Sequence, residues 1–74
     1  MEVRRYTVVF EDGGADGWGA YVPDLPGCTA GGASFDDAVR DIQKSITLWV
    51  EHAKEVGEPV PPPLTEAVSM AVAI

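Results

Sequence analysis

Seventy-four residues suffice for one small domain, and a chain this short buries only about 60 to 65% of the surface its unfolded form exposes. Forty-six per cent of the residues are apolar and only one is a cysteine, which excludes a disordered tail and a disulfide-stapled mini-domain and favours an oligomer. Twelve acids against five bases give a net charge of −7, which argues against a phosphate backbone as partner and for a basic protein.

Residues 3–11 alternate, with Tyr6, Val8 and Phe10 on one side and Arg5, Thr7 and Glu11 on the other, and predict a half-buried strand. Three glycines and two aspartates between Asp12 and Gly17 predict a hairpin loop. Residues 17–23 read as the antiparallel return strand, with Trp18, Ala20 and Val22 on one face and Gly19 and Tyr21 on the other, stopped by Pro23. Pro23 to Gly27 admits neither helix nor ladder, and residues 28–31 make a short third strand. From Ser34 the apolar period becomes 3.6, through Phe35, Ala38, Val39, Ile42, Ile46, Trp49, Val50, Ala53 and Val56. This predicts one amphipathic helix over 34–57, capped by Ser34 and ended by Gly57 in the left-handed region. Residues 58–66 form a stiff proline-rich connection, and 67–74, alternating large and small, read as a last strand. The expected fold is α+β: a single domain over 1–74, a small antiparallel sheet in the order strand, strand, strand, helix, strand, packed on one long helix. The N-terminus lacks the apolar core of a signal peptide and no stretch is long enough to span a membrane, so a soluble, cytoplasmic protein without membrane contact is expected.

His52 and Cys28 are single residues with no metal or nucleophile spacing around them; His52 reads as a surface or interfacial residue and Cys28 as a small buried apolar one. The acids could be imagined as a two-metal nuclease, yet each has a structural use. Asp12 and Asp16 belong to a turn, Asp36 and Asp37 to the first helical turn, and Asp41 can pair with Lys44. Neither glycine pair has the spacing of a phosphate loop, and residues 11–39 contain no Lys or Arg to track a nucleic-acid strand. No catalytic residue, metal ligand or cofactor is therefore assigned. Trp18 reads as a core or interface residue, with Trp49 as a packing partner.

Three blocks, YTVVFE at 6–11, GWGAYVPDLPGCTAGG at 17–32 and SFDDA at 34–38, resemble the HicB family of antitoxin domains over about residues 3 to 63, most specifically in the VPDLPGC string. The resemblance implies a partial RNase H-like fold and a non-enzymatic module that binds and silences a small basic mRNA-cleaving toxin of the HicA type. Many members of that family carry a DNA-binding tail; no basic strand or second helix pair is present through Ile74, so no direct operator binding by this chain alone is expected. The acidic turn surface of Asp12, Asp16 and Asp24 with Leu25 is the expected partner-binding site, although a folding role explains Pro23 to Gly27 as well. Trp18, Tyr21, Val68, Met70 and Val72 are the expected homo-oligomer interface. The alternatives are a self-assembling module without a toxin and, more remotely, the metal-dependent nuclease.

Overall fold

The computed structural model describes residues 2–74. Three strands, β1 (Val9–Asp12), β2 (Trp18–Tyr21) and β3 (Thr29–Gly32), form an antiparallel sheet in the order β1-β2-β3, and α1 (Phe35–Glu55) lies across one face. The register places Phe10 opposite Ala20 and Ala20 opposite Ala30, a row that faces the helix. The alternate row, Val9, Tyr21 and Thr29, points to the open face of the sheet. Ala20, Val22, Leu25, Cys28 and Ile42 make the core, bordered by Tyr6, Val8, Phe10, Ile46 and Trp49.

The hairpin between β1 and β2 is a single 3-10 turn, Gly14–Asp16, whose entry is tightened by the Asp12 carboxylate accepting from the Gly14 amide at 2.9 Å. Helix α1 starts where the Ser34 hydroxyl accepts from the Asp37 amide at 3.1 Å. It ends in a Schellman motif: the Gly57 amide donates to the Lys54 carbonyl and the Glu58 amide to that of Ala53, with Gly57 at φ +75°.

Four expectations need correction. Residues 3–8 extend the line of β1 without a ladder, because β2 stops at Tyr21 and the turns after it leave them no partner strand. Instead Arg4, Tyr6 and Thr7 donate from their side chains to the carbonyls of Val60, Pro61 and Thr65, which ties the proline-rich connection beside them. Residues 67–74 form no strand: Val68, Met70, Val72 and Ile74 are each at least 74% exposed and meet no sheet edge within the chain. Trp18 packs edge-on against Phe35, ring centroids 5.3 Å apart, rather than against Trp49. Asp41 accepts from the Gly31 amide at 3.1 Å instead of pairing with Lys44, so the helix engages the outer edge of β3.

Candidate partner-binding site

The segment Val22 to Cys28 is two consecutive β-turns. The Leu25 amide donates to the Val22 carbonyl at 3.1 Å and the Cys28 amide to the Leu25 carbonyl at 3.0 Å, and a Val22 to Cys28 bond of 3.1 Å closes the pair. Each turn has proline second, where its fixed φ fits, and the second turn has Gly27 third at φ +78°, as a type II turn requires. This geometry sends three neighbouring residues in three directions. Leu25 goes into the core and is 0% exposed. The Pro26 carbonyl accepts from the Trp49 indole at 2.9 Å and fastens the turn to the helix. Asp24 turns toward the proline-rich connection: one carboxylate oxygen accepts from the amides of Leu64 and Thr65, both at 2.9 Å, and the other from the Thr65 hydroxyl at 2.8 Å. The Thr65 hydroxyl above all, with the amides of Leu64 and Thr65, holds the Asp24 carboxyl below the usual carboxylate range against the opposing effect of desolvation.

The expected site is thereby divided. Leu25 is inaccessible to any partner, a correction forced by its place at the centre of the double turn. Asp24 is engaged by its own chain. Asp12 and Asp16 remain exposed on the hairpin. The fold brings further acids to the same end, because the backbone of Gly17 runs against that of Gly32 and Ala33, and Gly32 in turn lies against Asp37 and Ala38 at the start of α1. Exposed Glu11, Asp12, Asp16 and Asp36 therefore share one end of the molecule. Asp37 is there too, paired with Arg40, the only basic side chain ion-paired at that end among the described residues. Glu11 and Asp36 were readable only as a strand end and a dipole partner; the stretch from 11 to 39 without a base was the signal that could have united them.

Of the expected interface residues, Trp18 lies on the helix face with Phe35, which also packs on Phe10 at 4.8 Å, while Tyr21 stands on the open face of the sheet and is 40% exposed. His52 is exposed along a groove shared with Pro26, Trp49, Pro59 and Pro61. Cys28 is buried, and desolvation pushes its thiol up, away from the thiolate a nucleophile needs. No three His, Cys, Asp or Glu side chains gather to hold a metal among the described residues. No helix among them is long and apolar enough to cross a membrane.

A three-stranded antiparallel sheet on one helix, joined by a proline-rich double turn and carrying an acidic end, defines a small α+β domain. Residues 6–72 match the family described as HicB_like antitoxin of bacterial toxin-antitoxin system, and the chain belongs to that family. It is 33% identical over 60 residues to the UPF0150 protein ssr1765 of Synechocystis sp., covering 81% of this chain and 76% of that one. Its fold is similar to a chain of a solved HicA3 and HicB3 toxin-antitoxin complex, with a TM-score of 0.68 and 28% identity over 81% of this chain and 70% of the other.

Proposed function

We propose that this chain binds and silences a small basic mRNA-cleaving toxin of the HicA type through its acidic hairpin end, without catalysis of its own. The observation that carries this reading is the gathering of Glu11, Asp12, Asp16 and Asp36 at one end of a HicB-like fold. The likeness to a chain from a HicA3 and HicB3 complex supports a toxin as the partner class. Opposite charges steer encounter over roughly 10 Å at 0.1 M salt, whereas the apolar contacts that slow dissociation are not screened. Surface plasmon resonance against a HicA-type toxin encoded beside this gene tests the proposal. Association is expected to slow steeply between 50 and 300 mM salt, and Asp12→Lys combined with Asp16→Lys to slow it on the order of tenfold with little change in dissociation. The double variant should lose no more than a few degrees of melting temperature, since both side chains are exposed and only the Asp12 bond to the Gly14 amide is given up. A verified complex whose association ignores both salt and these substitutions moves the binding site elsewhere.

A further inference from the structure

We propose that the groove between the C-terminal half of α1 and the proline-rich connection receives an arginine side chain of the basic partner. The proposal rests on the reading of that partner as a basic protein, and it names a second contact, remote from the acidic hairpin end. Helix α1 contributes Trp49, His52 and Ala53 to the groove, and the connection contributes Glu58, Pro59 and Pro61. The space between them is about 430 Å³, within the roughly 300 to 1,000 Å³ of preformed ligand sites. Both contributors are fixed in place. The Trp49 indole donates to the Pro26 carbonyl at 2.9 Å, the Glu58 amide to the Ala53 carbonyl at 2.8 Å, and the Tyr6 hydroxyl to the Pro61 carbonyl. Proline rings have almost no rotamer freedom to lose on contact, so the groove is set before anything enters it.

The lining selects the ligand. Trp49 has already committed its one N–H to Pro26 and offers a partner only its π surface, while the proline rings and the Ala53 methyl offer only carbon. Glu58 is the one carboxylate in the lining, and it is exposed. No lysine or arginine lines the groove: Arg4 is ion-paired with Glu2, and Lys54 lies by that same glutamate. Exposed Glu51 and Glu55 on the adjoining helical turns deepen the negative potential. An apolar stem ending in a cation meets all of these features. A planar guanidinium, weakly hydrated and able to stack on an aromatic ring while it pairs with a carboxylate, meets them better than an ammonium. Trp49 stands about 21 Å along α1 from Phe35. One small folded domain, about 30 Å across, therefore reaches the acidic end and the groove together.

Nuclear magnetic resonance titration of the full chain with N-acetyl-arginine amide, and with its uncharged citrulline counterpart, tests the groove by itself. Arginine amide should shift the Trp49 indole and the Ala53 and Glu58 amide resonances, saturating on the order of millimolar, while citrulline amide leaves them in place. Glu58→Gln should weaken this binding about two- to fivefold and Glu58→Lys abolish it, with the melting temperature held, because that side chain is exposed. Against the toxin, Glu58→Gln should speed dissociation about two- to fivefold and leave association within about twofold, the reverse of the Asp12 and Asp16 substitutions. Shifts of equal size from citrulline amide, shifts centred on the acidic hairpin instead, or binding that survives Glu58→Lys overturn the proposal. So does a toxin complex whose dissociation ignores Glu58→Gln. Failure of the toxin to bind at all defeats the earlier reading and the partner named here, whereas the arginine titration still decides the groove.

Discussion

Asp24 and Leu25 are adjacent in the chain and serve opposite purposes, one binding the C-terminal segment and the other filling the core. Because the folded Asp24 carboxyl lies below its unfolded value of about 3.9, its contribution to stability is complete above that pH and is lost as pH falls through the folded value. The difference in melting temperature between wild type and Asp24→Asn should therefore be full at pH 6 and shrink below about pH 4. A difference that stays constant down to pH 2 would mean that the charge does not hold the segment. Leu25→Ala, by contrast, should cost about 2 to 5 kcal/mol in denaturant unfolding at any pH, as a cavity in the core does. Together these two substitutions separate the clamp from the plug in a motif where they are neighbours.

Helix and sheet meet most closely where β3 ends and α1 begins. A Cβ on Gly32 would come within 2.6 Å of the Asp37 Cβ and 2.7 Å of the Ala38 amide nitrogen, so the helix can approach only a bare backbone there. Gly19, in the middle of β2, has nothing within 4 Å of the same position because it lies on the open face of the sheet. Gly32→Ala should destabilise the domain by about 1 to 3 kcal/mol through overpacking, while Gly19→Ala should leave stability unchanged or slightly raised. Equal effects of the two on the midpoint of urea unfolding would show that the close approach is not tight. The same junction sets the acidic end proposed to bind a partner, since it brings the first turn of α1 beside the β1–β2 hairpin.

For the whole molecule, twelve acids against five bases make the folded state self-repelling, most strongly at the hairpin end. Salt should act in two directions. The melting temperature of the chain alone should rise by a few degrees between 10 and 200 mM NaCl, while association with a basic partner slows over the same range. A melting temperature that falls with added salt would mean that attractive pairs dominate the fold, although only Arg4 with Glu2 and Arg40 with Asp37 form such pairs among the described residues.

Periodicity and punctuation determined most of the elements: the 3.6-residue spacing from Phe35 and the Ser34 and Gly57 signals are local, and the backbone obeys them, whereas the alternation of Tyr6, Val8 and Phe10 set the side that meets the core but only Val9–Asp12 pairs as a strand. The VPDLPGC string likewise declared a turn and, with its flanking blocks, the family. The roles within that string were decided by tertiary structure, because a proline or aspartate in a turn looks the same whether it faces a partner or its own chain. Only folding showed that Leu25 is buried and that the Asp24 carboxylate meets Leu64 and Thr65, some forty residues away. The alternation of 67–74 is a local signal too, but a strand needs a neighbour for its backbone groups, and this chain supplies none. Which acids share a surface is also a matter of distance in space. Glu11 and Asp36 stand 25 positions apart in the sequence and come to one end because Gly17 and Gly32 let the hairpin and the helix start close on each other.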